Sequence, residues 1–187
     1  MDIMNSFEEI KYNLSNALDL LENSDFMSAL ALVSDAANRN KTIIAFGNGG
    51  SASNSSHFAS DLIQFAQRAG KQVNCISPIQ SSELISAISN DIDFDLVLKS
   101  VVDNYLNKDD LLIVFSVSGT SRNIELGVER AFQKGTRVLG LFGKNRSLTT
   151  DMADSAIMVQ SQTPRIVETV HCFLGQELAA RAFEQMP

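Results

Sequence analysis

The chain has 187 residues, 44% of them hydrophobic and 20% charged, enough for a domain with a proper core. Its net charge of −7 argues against a nucleic-acid binder that works through a basic surface, and no run approaches the ~18 apolar residues of a membrane span. The start of the chain lacks a signal peptide's basic and apolar regions, and Cys75 and Cys172 form no metal-binding pattern, so we expect a cytoplasmic protein with free thiols.

Phe7, Ile10, Leu14, Ala17 and Leu21 recur at helical spacing and predict an amphipathic first helix. Ser24 or Asp25 can cap a second, with Phe26, Leu30 and Val33 on one face. Thr42–Phe46 reads as the first strand and Ser53–Gln67 as the helix after it. Gln72–Ile76 reads as a strand, Ser81–Ser89 and Phe94–Leu106 as helices. Leu111–Phe115 is continuously apolar, which predicts a central strand buried on both faces. Asn123–Lys134 reads as a helix stopped by Gly135, Arg137–Phe142 and Ala156–Val159 as strands. Pro164 opens a final helix with Ile166, Val170, Phe173, Leu174 and Leu178 as its stripe.

Alternating strands and helices predict an α/β fold, a five-stranded parallel sheet covered on both faces, in a single domain over residues 1–187. The helices within residues 1–40 precede the sheet. They pack either on their own domain or against another subunit, which would make a homo-oligomer. Glu8-Glu9, Asp109-Asp110 and Lys144–Arg146 read as solvated charges, and Arg165 as half of a structural ion pair.

Two turns carry the chemistry. Gly47-Asn48-Gly49-Gly50-Ser51-Ala52 joins a strand to a helix, where glycine lets a ligand approach the backbone. It lacks the Gly-Lys-Ser/Thr ending of a nucleoside-triphosphate loop. Gly47, Gly49 and Ala52 fit a dinucleotide fingerprint, but Ile76-Ser77-Pro78 offers no acid for a ribose, which argues against a nicotinamide enzyme. Ser116, Ser118, Thr120 and Ser121 follow the predicted central strand, at the sheet edge where open α/β folds bind ligands. A single hydroxyl suffices to cap a helix. Four point to a phosphate held by hydroxyls and a helix N-terminus.

These turns, together with His57-Phe58-Ala59, Asn90-Asp91 and Thr163-Pro164-Arg165-Ile166, occur in the order seen in the sugar-isomerase (SIS) domain family. The chain resembles its phosphoheptose isomerases over almost its whole length. The resemblance implies a three-layer, flavodoxin-like sandwich, a tetramer with sites at subunit interfaces, and conversion of sedoheptulose 7-phosphate to an aldose for surface-polysaccharide synthesis. It assigns substrate contacts to Asn48, Gly49, Gly50, Ser51, Asn90, Asp91, Ser116, Ser118, Ser121 and Glu168. Val117 stands where the usual pattern has threonine.

Ketose–aldose isomerisation through an enediol needs a base for a carbon-bound proton and an acid for the neighbouring oxygens. The relatives' catalytic glutamate becomes Asp61 here, at i+4 from His57. Their last-helix glutamine becomes Val167, and their catalytic histidine becomes Gly175 without a gap, or Gln176 after a one-residue shift. The catalytic candidates are therefore Asp61, His171 and Gln176. Some relatives carry zinc, for which His57, Asp61, Glu168 and His171 would be the donors; two substituted ligand positions weigh against it. The alternative to an enzyme is a phosphosugar-binding regulatory module, like those relatives that bind a replication initiator.

Overall fold

A computed structural model describes residues 3–184. Strands β1 (Thr42–Gly47), β2 (Asn74–Ile76), β3 (Leu111–Ser116), β4 (Arg137–Gly143) and β5 (Ser155–Val159) form one parallel sheet in the order β2-β1-β3-β4-β5. The helices are α1 (Ile3–Asp19), α2 (Asn23–Asn38), α3 (Gly50–Arg68), α4 (Ser82–Ile88), α5 (Val97–Tyr105), α6 (Arg122–Lys134), α7 (Leu148–Met152) and α8 (Pro164–Arg181). This is the expected α/β architecture. β3 is the middle strand, and all six of its residues are buried.

Its side chains alternate between two cores. Leu111, Ile113 and Phe115 join Phe58 and Leu62 of α3 and Leu174 of α8. Leu112 and Val114 join Leu98 and Val101 of α5 and Ile124 of α6. Each large apolar side chain so buried contributes about 1.5–3 kcal/mol.

The elements differ from expectation mainly at their ends. α3 begins three residues early, because Gly49 turns the chain straight into the helix. β2 keeps only three residues at the sheet edge. Asn90 and Asp91 lie in a π-helical turn (Ser89–Asp93), and a 3₁₀ turn (Phe94–Leu96) precedes α5. The short α7 follows a Ser147/Thr150 capping box that sequence periodicity does not reveal. α2 is a core helix, burying Ala29, Leu30, Val33, Ala36 and Ala37. α1 buries Ala17 and leaves Phe7 and Ile10 exposed.

The amino end of the sheet is pinned by carboxylates. Asp110, expected in a solvated loop, is buried. Its Oδ1 accepts the Thr42 N–H at 2.9 Å and its Oδ2 the Asn107 N–H at 2.7 Å, which ties β1 to the start of β3. Asp154 accepts the Val138 N–H at 2.7 Å, and Arg137 pairs with Asp35 of α2 at 2.6 Å. Partial burial alone would raise the Asp35 carboxyl, but Arg137 and Arg39 outweigh it and hold it below the usual value. Arg165 is exposed and forms no ion pair among the described residues.

Candidate active site

The strands all run the same way, but the order in which the chain adds them across the sheet reverses between β1 and β3, which places a crevice at their carboxyl ends. Both predicted turns open there. After β1, Gly49 adopts φ 55° and ψ −124°, a conformation that L side chains rarely adopt. Gly50 follows, and a Cβ on it would lie 2.5 Å from Oε1 of Glu168. The glycine therefore leaves room for the α8 carboxylate against the N-terminus of α3. No side chain caps α3, so the first N–H groups of the helix face the crevice.

After β3, Ser116 Oγ accepts the Gly119 N–H at 3.1 Å and Ser118 Oγ accepts the Thr120 N–H at 3.2 Å. Each hydroxyl uses a lone pair to shape the turn and keeps its proton for a ligand oxygen. Ser121 is the residue before α6, yet its side chain makes no capping bond. The simple capping explanation for these hydroxyls is thus absent at Ser121. Behind the turn, Ser147 and Thr149 both donate to the Gly119 carbonyl, at 2.9 and 2.5 Å.

A pocket of about 280 Å³ lies between the turns, lined by Asn48, Ser51, Ser116, Ser118, Ser121 and Glu168, with Phe115, Val117 and Pro164 completing its wall. No lysine or arginine lines it. Hydroxyls, free N–H groups and two helix N-termini can bind an anion without a cationic side chain. A larger, mainly apolar hollow of about 530 Å³ between α2 and α8 is lined by Phe26, Leu30, Phe173 and Leu174, with Glu22, Glu177 and Arg181 among the polar residues that complete it; it holds no serine turn.

Two groups escape sequence reasoning. Asn123, which periodicity marks only as a helix start, is buried and pairs with Asn48 through two amide hydrogen bonds of 2.9 Å. Asn54 of α3 donates to the Glu168 carbonyl at 2.9 Å and ties α3 to α8 beside the pocket.

A second cluster continues from Glu168 along α8. His57 Nε2 lies 3.4 Å from Asp61 Oδ2 and 3.4 Å from Gln176 Nε2, while its Nδ1 lies 3.9 Å from Cys172 Sγ. Glu168, Cys172 and Gln176 are four residues apart and share one helix face. Position 175 faces inward, since a Cβ there would meet Phe115 at 3.5 Å and Phe58 at 3.8 Å. Gln176, and not Gly175, stands beside His57.

His171 departs from expectation. It is fully buried, edge-on to Phe115 at 6.3 Å between ring centres, and neither ring nitrogen finds a hydrogen-bond partner. Burial lowers its pKa to about 4, so at neutral pH it is an uncharged core residue. It cannot serve as a catalytic group on the His57 face. The helical stripe is rotated accordingly, with Phe173 exposed and Val167 buried. The proposed zinc donors His57, Asp61, Glu168 and His171 therefore do not converge. Among the described residues no group of three or more His, Cys, Asp or Glu is placed to hold a metal. The residues present do not fit zinc. Asn90 and Asp91 are exposed and bonded to each other at 2.7 Å, outside the pocket.

A family model described as SIS domain matches residues 7–143. The phosphoheptose isomerase of Nitratiruptor sp. is 35% identical over 147 residues, which is 78% of each chain. That of Helicobacter pylori strain P12 is 34% identical over 167 residues, 89% of this chain and 86% of its own. The solved structure of a phosphoheptose isomerase from Francisella tularensis has the same fold, with a TM-score of 0.89 over 98% of both chains at 22% identity. The extent of the domain match and the identity to these relatives show that the chain belongs to the SIS-domain family, on its phosphoheptose isomerase branch.

Proposed function

We propose that this chain is a phosphosugar isomerase that converts the ketose sedoheptulose 7-phosphate to the corresponding aldose. One observation carries the reading: the cation-free serine pocket opens onto the α8 face that leads from Glu168 to Gln176. The phosphate is held by Ser116, Ser118 and Ser121 and by the N-termini of α3 and α6. Asn48, Gly49, Gly50 and Ser51 shape the opposite rim. The sugar runs along α8 toward His57 and Asp61.

Asp61 takes the C1 proton, the electron pair forms a C1–C2 double bond, and the ketone oxygen gains a proton to give the enediol. Return of the proton to C2, with loss of the O1 proton, leaves the aldehyde at C1. Gln176 donates its amide N–H to the developing oxyanion, and His57 orients Asp61. Asn90 and Asp91 contribute to the sugar site from a second subunit. Two features support such an oligomer: Phe7 and Ile10 are exposed on α1, and the apolar hollow lies between α2 and α8. Free Cys75 and Cys172 suit a cytoplasmic setting, and no helix among the described residues is long and apolar enough to cross a membrane.

A second reading, a module that binds phosphosugar without turnover, is favoured by the absence of a second imidazole on the α8 face. Incubation with sedoheptulose 7-phosphate decides between them. Aldose formation, lost in Asp61→Asn, supports the isomerase; saturable binding without product supports the module.

A further inference from the structure

We propose that Cys172 is a positioning residue: its thiol holds His57 in the one neutral tautomer that lets the imidazole support Asp61. The functional part of this inference rests on the isomerase reading above. An ionised carboxylate can only accept hydrogen bonds. Asp61 Oδ2 faces Nε2 of His57 at 3.4 Å, so the proton of the neutral ring belongs on Nε2. Nδ1 is then a bare acceptor, and Cys172 Sγ stands 3.9 Å from it. The thiol is a weak donor that fits this role, whereas sulfur is a poor acceptor for an N–H.

The opposite tautomer would aim an N–H at sulfur and a lone pair at the Asp61 carboxylate. Both contacts would be worse. Gln176 fits the first arrangement once its amide oxygen turns toward Nε2, which frees its two N–H groups for the substrate. Cys172 lies on α8 midway between Glu168 and Gln176, so the helix that lines the pocket also sets the protonation pattern of the His57 ring. The chain's other thiol cannot share this role, because Cys75 is buried in the sheet and burial pushes it up to about 12.

The chain has two histidines, so ¹⁵N imidazole spectra at mildly alkaline pH resolve each ring, and buried His171 reports whether a variant keeps its fold. The Nε2–H pattern is expected for His57 in the wild type and in Cys172→Ser, and a shift toward Nδ1–H in Cys172→Ala. With sedoheptulose 7-phosphate, Cys172→Ala should lose about tenfold in kcat at unchanged KM, the order of one lost hydrogen bond, and Cys172→Ser should recover most of it. An unchanged tautomer in Cys172→Ala with an intact His171 signal overturns the proposal, as does a serine variant no better than alanine. If the wild type shows no turnover, the isomerase reading falls, and the tautomer measurement still decides the role of Cys172.

Discussion

Asn48 and Asn123 exchange two amide hydrogen bonds of 2.9 Å across the crevice, joining the turn after β1 to the first residues of α6. Asn123 Oδ1 also lies 3.0 Å from the Ile124 N–H. The pair fixes the distance between the two rims that face the ligand. Removing the Asn123 amide strips both of these bonds from half-buried Asn48, which costs about 1–3 kcal/mol. Asn123→Ala is expected to lower the melting temperature and raise KM for the phosphosugar more than it lowers kcat. An unaltered melting temperature would show that the amide bridge contributes nothing.

Gly50 is where α8 meets α3. Alanine there places a methyl group against the Glu168 carboxylate, and one of the two must move. The cost expected for such overpacking is about 1–3 kcal/mol. Gly50→Ala should lose both stability and turnover, and adding Glu168→Ala should restore the stability alone. Denaturant midpoints of the single and double variants check this. Equal midpoints in the two would mean that the contact is not the cause.

The serines separate binding from folding. Ser121 has no capping bond, whereas buried Ser116 holds the Gly119 N–H. Ser121→Ala should raise KM about tenfold, the value of one hydrogen bond to a charged ligand, at an unchanged melting temperature. Ser116→Ala should raise KM and also lower the melting temperature. Isothermal titration with inorganic phosphate and thermal melts give both numbers, and a Ser121→Ala protein that binds phosphate as the wild type does would remove it from the site.

His171 makes stability depend on acid. Above pH 6.5 the imidazole is neutral in both folded and unfolded chains and contributes nothing. Below that value the unfolded chain takes up a proton that the folded core refuses down to about pH 4, so stability falls as pH falls through this window. At about 1.4 kcal/mol per pKa unit the full loss is about 3 kcal/mol. His171→Phe should flatten the urea midpoint between pH 6.5 and about 5, a range in which ordinary carboxylates stay ionised. Parallel pH profiles in the two proteins would contradict this account of the buried ring.

The central strand was legible because Leu111–Phe115 has no polar interruption, and the serine pocket because its hydroxyls follow that strand directly. The phase of α8 was not legible. Ile166, Val170 and Leu174 fit a stripe that includes Phe173 as well as one that includes Val167 and His171, and packing against both α3 and the sheet selects the second. Asp110 looked like a surface charge because sequence does not show which N–H groups a carboxylate will meet. The contacts of Asn123 and Cys172 were not legible for the same reason: their partners, Asn48 and His57, are remote in the chain.

Asp110, Asp154 and the Asp35–Arg137 pair anchor the end of the sheet opposite the pocket. The scaffold therefore has, beside its two apolar cores, a set of anchoring contacts away from the pocket. On the rim, exposed Ser118 holds one N–H of its own turn, so exchanging it should alter ligand specificity at a small cost to folding, whereas exchanging Val117, which packs against the core, should also cost stability.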